Sequence, residues 1–252
     1  MAPDMPTSSS EPRSRVVLLR HAQSQWNLEN RFTGWTDVDL SAHGVAEAYR
    51  AAALLKRHGL RFDRAFVSYL LRSTRTLDIV LQEIGQPQLP VERDWRLNER
   101  HYGALQGLNK KETADRYGTE QFFRWRRGYA DRPPALEPDD PRHPRHDPMY
   151  TGVDPARLPA TESLADTERR AVEHWREAIV PRIRAGETVL VVAHGNSLRG
   201  LVKYLDGISD ADVERLEIPT GVPLVYEFDR DARPLRHYYL RDEAAGAPAS
   251  AA

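Results

Sequence analysis

Two short apolar runs constrain the fold of this 252-residue chain more than any other feature. Residues 16–19 (VVLL) and 188–193 (TVLVVA) are unbroken and rich in branched side chains, the pattern of strands buried on both faces. Each run leads straight into a histidine: Arg20-His21 follows the first, His194-Gly195-Asn196 the second. In an open parallel sheet, ligands bind beyond the carboxyl ends of the strands. If the two runs are parallel neighbours, both imidazoles arrive at one crevice. Either histidine alone would read as an incidental strand end; the matched pair points to function.

Helix-length segments separate further short strands. Ser41 is placed to cap a helix reaching about 58, where Gly59 stops it. A strand is expected at 65–67, a helix at 70–84 ended by Gly85, and a strand at 89–91. Two short helices follow within 109–128, then one over 164–184 with Pro181 near its end, and one over 196–205. Strands at 223–228 and 235–240 close the chain, and 24–40 reads as loop. The alternation predicts an α/β fold: a single three-layer domain over 14–242, its mainly parallel sheet flanked by helices on both faces. Residues 1–13 and 243–252 read as disordered tails. The stretch 131–159 carries eight of the eighteen prolines and no periodicity, which suggests a long loop beside the site.

Composition narrows the chemistry. Lys+Arg at 36 nearly balances Asp+Glu at 37, so no general basic field exists for nucleic acid or a membrane surface. With no cysteine, thiol catalysis, disulfides and Cys-ligated metals are excluded. No apolar run approaches the ~20 residues of a membrane span, and residues 1–15 lack a signal-peptide core, so a cytoplasmic location is expected. The cations are 32 Arg and only four Lys (Lys56, Lys110, Lys111 and Lys203), so a Lys at a site suggests a place for a compact point charge.

The crevice suits phosphate. Gly195, Asn196 and Ser197 open a helix whose free N–H groups and dipole favour an anion. Arg20 can grip phosphate oxygens in a fork. A neutral imidazole there can attack phosphorus and carry the phosphoryl group. No Walker loop, Rossmann glycine fingerprint or Gly-x-Ser-x-Gly elbow is present. The pair His143 and His146 lacks a third ligand and is not expected to bind metal.

Arg20-His21-Ala22-Gln23-Ser24 resembles the Arg-His-Gly-Glu signature of the histidine phosphatase superfamily. Within it the chain most resembles the 2,3-bisphosphoglycerate-dependent phosphoglycerate mutases. The blocks that carry this are RHAQSQWN (20–27), ENRFTGW (29–35), LNERHYGALQGLNK (97–110), WRRG (125–128), AHGNSLR (193–199), LVKYLD (201–206) and IPTGVPLVYEF (218–228). The resemblance implies a phosphoglycerate mutase-like fold and isomerisation of 3- and 2-phosphoglycerate in glycolysis and gluconeogenesis. It implies 2,3-bisphosphoglycerate as phosphoryl primer, no metal, small-molecule phosphoglycerates as partners with no nucleic acid or membrane, and a possible homo-oligomer, dimer or tetramer. Residue by residue, it makes His21 the nucleophile, Glu99 the proton carrier and His194 the transition-state stabiliser. Arg20, Ser24, Asn27 and Arg72 become phosphate ligands, with Arg20 and Arg72 also catalytic. Thr33, Gly34, Arg100, His101, Tyr102, Gly195 and Asn196 become substrate contacts. Lys110, Arg126 and Arg127 become the cations for the substrate's carboxylate and second phosphate.

Read alone, Asn98-Glu99-Arg100 fits a surface ion pair equally well, and His101 is a competing acid–base candidate. Phosphate nearby would push the Glu99 carboxyl up by like charge. Lys110 reads alone as a solvated side chain, and Arg126-Arg127 as a helix face. Ala22 and Gln23 stand where the signature has Gly and Glu; Ala tolerates positive φ less well. Two other functions remain open: a phosphatase that discharges phospho-His21 to water, and a non-catalytic binding protein. The latter would be expected to lack His21, Glu99 or His194, and all three are present.

Overall fold

The structure, a computed structural model, describes residues 12–241. The expected tails, 1–13 and 243–252, lie almost wholly outside them; Arg13 is described, and its N–H donates to the Phe228 carbonyl at the sheet. Six strands form one sheet: β1 (Ser14–Arg20), β2 (Arg64–Val67), β3 (Val91–Arg93), β4 (Thr188–Ala193), β5 (Leu224–Phe228) and β6 (Pro234–Tyr239), in the order β3-β2-β4-β1-β5-β6. The first four in that order run parallel; β5 and β6 join antiparallel.

The two apolar runs are central neighbours, with Arg20 opposite Ala193. Their side chains alternate between two cores. Val16, Leu18, Val189 and Val191 face one layer: α6 (Leu164–His174), α7 (Val180–Ala185) and α8 (Gly195–Asp206). Val17, Leu19, Leu190 and Val192 face the other: α2 (Ala42–Arg57) and α3 (Leu71–Glu83). This period-two division of unbroken apolar runs is what a sheet covered on both faces requires.

Local departures have local causes. The expected loop at 24–40 contains a turn of helix, α1 (Gln25–Leu28), because Ser24 and Asn27 cap each other's backbone N–H groups. The third strand begins at Val91 rather than 89, since Pro90 has no N–H to give the ladder. The expected helix over 164–184 is interrupted by a π turn at Trp175–Ile179. Pro181 would collide with the Glu177 carbonyl in a continuous α-helix, and the wider turn relieves that contact. Within 109–128 the two helices are α4 (Lys110–Tyr117) and α5 (Thr119–Arg127), hinged at Gly118. Residues 131–159 form only three 3-10 turns, yet they pack, with Leu136, Tyr150 and Leu158 buried. Among the described residues no helix is long and apolar enough to cross a membrane.

Leu18 is fully buried in the first core. Leu18→Ala should lower unfolding free energy by about 2–5 kcal/mol in a denaturant titration. Leu235→Ala, at an exposed edge-strand position, should cost under about 0.5 kcal/mol.

Candidate active site

The β1–β4 register sets the site. His21 and His194 are the first residues beyond paired strand ends, and their ring centroids lie 4.8 Å apart. A cavity of about 250 Å³ opens over them, lined by Arg20, His21, Asn27, Thr33, Gly34, Arg72, Glu99, Tyr102, Lys110, Arg126, Arg127, Gly195 and Asn196. Thirteen of the seventeen residues expected from the sequence therefore share one wall.

The other four sit behind it. His194 is fully buried beside His21. Ser24 spends its hydroxyl on the cap of α1. Arg100 turns away from the cavity, lies 4.5 Å from the Tyr102 ring, and donates to the Trp125 and Arg126 carbonyls at 2.5 and 2.8 Å. It anchors the segment that carries Arg126 rather than lining the cavity. His101 packs edge-on against Trp35, and its Nδ1 accepts the Gly103 N–H. That placement removes it as a rival to Glu99. Nor do residues 131–159 line the cavity: Tyr150 stacks near Trp35 and its hydroxyl accepts from Asn98, one layer behind the site. α4, α5 and residues 217–219 cover the cavity.

The lining also includes six residues to which the sequence reading gave no role: Arg31, Phe32, Arg199, Glu217, Ile218 and Pro219. Arg31, Phe32, Arg199, Ile218 and Pro219 lie inside blocks that carry the family resemblance, so their positions were marked while their parts were not.

His21 Nδ1 is 2.7 Å from the Ala22 carbonyl and must donate to it, so the neutral ring keeps its lone pair on Nε2. Burial, then the charges of Arg72 and Arg20, push its pKa well below the usual value. The ring is thus neutral and able to act as a nucleophile at neutral pH. His194 is likewise held neutral, by burial and then by Arg72 and His21. Its tautomer follows from a hydroxyl relay. Ser73 Oγ donates to the Leu70 carbonyl at 2.8 Å, so Ser68 must donate to Ser73, and Ser68 accepts from His194 Nε2–H at 2.7 Å. His194 Nδ1 is left buried with no protein partner, as are Arg20 Nε and Thr33 Oγ1 on the same site.

Glu99 is buried, not a surface ion pair. Its Oε1 accepts three hydrogen bonds, from Arg100 N–H (2.8 Å), Asn196 N–H (3.0 Å) and Asn196 Nδ2 (2.8 Å). The first turn of α8 is therefore partly taken by this carboxylate rather than left wholly to a ligand. Burial alone would raise the Glu99 carboxyl; these donors, with Arg20 and Arg72, outweigh it and hold the group below its ordinary value. The upward push expected from phosphate is the opposite of what these surroundings produce by themselves.

The cations are fixed largely by carbonyls. Arg72 donates to Gly34 O and Thr36 O, and Arg20 to Ile218 O. Gly34 adopts φ +53°, and a Cβ there would meet Gln106 Oε1 at 2.0 Å, so only glycine lets this carbonyl reach Arg72. Burial lowers Arg72 to about 10, which leaves it charged at neutral pH. Lys110 is lowered by burial and by Arg126 and Arg20. Both substituted signature residues fit their places without strain. Ala22 has negative φ and packs its methyl with Leu40 and Ala48. Gln23 accepts from Ser41 Oγ outside the cavity lining. Arg127 pairs with Glu217 at the rim. Elsewhere, His143 caps a turn, and no group of three or more His, Asp or Glu among the described residues is arranged to hold a metal ion.

The sequence matches the Histidine phosphatase superfamily (branch 1) over residues 16–142 and 138–240, and the chain belongs to that family of phosphoryl-transfer enzymes. Similar folds include a mycobacterial glucosyl-3-phosphoglycerate phosphatase (23% identity, TM-score 0.67, covering 89% of this chain and 96% of that one). Another is the α-ribazole phosphatase of Shigella flexneri (21%, 0.63, 93% and 100%). A third is a phosphoglycerate mutase from Bacillus anthracis (21%, 0.64, 88% and 90%).

His21, His194 and His101 all have depressed pKa values, His101 down to about 3. Below about pH 6.5 the unfolded chain protonates these rings while the folded chain does not. The unfolded state then binds more protons, so stability falls as pH drops below that value. Thermal melts should show a falling midpoint between about pH 7 and 5. His101→Asn, which keeps an acceptor for the Gly103 N–H, should flatten that slope.

Proposed function

We propose that this protein interconverts 3-phosphoglycerate and 2-phosphoglycerate, primed by 2,3-bisphosphoglycerate. One observation carries the reading: the cavity holds two sets of cations on separate segments. Arg20 and Arg72 flank His21, while Lys110, Arg126 and Arg127 come from the helices that cover it. A phosphatase of a phosphate ester with no second anionic group needs only the first set. A ligand with a phosphate and a carboxylate, or with two phosphates, fits both.

The cycle begins with phospho-His21. The substrate's free hydroxyl oxygen attacks phosphorus, the N–P bond breaks, and Glu99 Oε2 takes the hydroxyl proton. The product is 2,3-bisphosphoglycerate. It turns over in the cavity, and His21 Nε2 attacks its other phosphorus. The departing oxygen recovers the proton from Glu99, the N–P bond re-forms, and the isomer leaves. Arg20 and Arg72 spread the transition-state charge. A phosphoryl oxygen beside His194 favours the form protonated at Nδ1, able to donate to it. Water is the competing acceptor, and its attack on phospho-His21 gives the rival reading, a phosphatase.

Feeding the purified chain 3-phosphoglycerate with a trace of 2,3-bisphosphoglycerate should yield 2-phosphoglycerate faster than inorganic phosphate. Phosphate release without isomer would establish the hydrolase instead. His21→Ala should abolish turnover and the covalent adduct seen by intact mass; full activity in that variant would refute the nucleophile. The scheme draws on side chains alone, so chelators should leave the rate unchanged. Arg126→Ala should raise KM about tenfold or more with kcat little changed, checked by steady-state kinetics.

A further inference from the structure

We propose that Arg199 is a positioning residue for proton transfer: it locks the Asn196 amide so that Asn196 holds one oxygen of Glu99 and leaves the other to the substrate. The inference rests on the reading of Glu99 as proton carrier given above.

Arg199 is buried at the cavity wall, one turn along α8 from Asn196. Its Nη1 donates to Asn196 Oδ1 at 2.9 Å. Its Nη2 donates to Val213 O at 2.6 Å and Arg127 O at 3.2 Å, which fixes the guanidinium in place. A guanidinium can only donate and an ionised carboxylate can only accept. The Asn196 amide lies between the two, so only one orientation satisfies both: Oδ1 toward Arg199, Nδ2 toward Glu99 Oε1. A flipped amide would set donor against donor at Arg199 and acceptor against acceptor at Glu99. Tyr102 OH, 3.1 Å from Asn196 Nδ2, accepts the second amide proton.

The consequence concerns which oxygen of Glu99 reacts. Three donors saturate Oε1, so Oε2 is the oxygen left for the substrate's proton. Without Arg199 the amide is free to turn, Oε1 loses its shortest side-chain donor, and the carboxylate takes a proton more readily. The other groups facing Glu99 remain: Arg20 from β1, Arg72 from α3, Lys110 from α4, and Arg100 N–H and Tyr102 from its own segment. Arg199 also grips the backbone of Arg127, so the segment that bears a rim cation and the proton carrier share one anchor.

The test uses the full chain with Arg199→Met, Arg199→Lys, Asn196→Ala and the double variant Asn196→Ala/Arg199→Met. Arg199→Met should slow isomerisation about tenfold or more and move the acid limb of kcat to higher pH. Phosphorylation of His21 by p-nitrophenyl phosphate, whose leaving group departs without a proton, should remain near the wild-type rate. Adding Arg199→Met to Asn196→Ala should cost nothing further. Arg199→Lys, which keeps a donor, should fall between, and it provides the same readouts if the Met variant does not fold. Equal slowing with both phosphoryl donors, an unmoved acid limb, or full additivity with Asn196→Ala would overturn the inference. If wild-type protein forms no phospho-His21 from either donor, the functional reading itself fails, and that result is distinct from failure of Arg199 alone.

Discussion

The site depends on the parallel register of β1 against β4. Arg20 stands opposite Ala193, so the next residue on each strand is a histidine and the two rings meet. A slip of one residue would exchange the two faces of β1 between the cores and separate the rings along the strand. The same packing that buries Val16 through Leu19 therefore sets the distance between His21 and His194. Fold stability and site geometry rest on one set of contacts.

Charge is concentrated here and mostly left unneutralised; Arg127, paired with Glu217, and Arg31, paired with Glu29, are exceptions. Arg20, Arg72, Arg100 and Arg199 are oriented by backbone carbonyls, not by carboxylates. A carbonyl fixes a guanidinium while leaving its charge for another partner. The acids in the cavity lining are Glu99 and Glu217, against seven cationic side chains. Hence a chain of net charge −1 presents a strongly positive interior at one place. Burial keeps both imidazoles neutral within it, so the proposed nucleophile stays uncharged among cations.

Much of this was legible in the sequence because strong local patterns carry it. Unbroken apolar runs gave the central strands, and Ser41, Gly59 and Gly85 marked the helix ends. The histidines, Glu99 and the three cations of the cover were marked by position in familiar blocks. What escaped depends on direction rather than presence. Nothing local says that Arg100 turns toward the Trp125 and Arg126 carbonyls, or that His101 faces Trp35. Arg199 looks like any helix residue until Asn196 is seen lying between it and Glu99. The interruption at Trp175–Ile179 was legible in principle, since Pro181 sits too far into the helix to be tolerated by a regular one. The irregularity of residues 131–159 is legible in their prolines, but their packing is not: buried Leu136, Tyr150 and Leu158 make them a wall behind the site.

The ion pair between Arg127 and Glu217 bears on how the cavity empties. An anion reaching Arg127 takes it from a resident carboxylate, and on leaving hands it back. Binding at that corner is an exchange of one partner for another, so the gain on arrival is small and the penalty on departure equally small. Lys110, which has no such companion among the described residues, grips without a substitute waiting. For the doubly charged ligand proposed above, the asymmetry would leave one end easier to detach, so release would begin at the rim while the deeper contacts still hold.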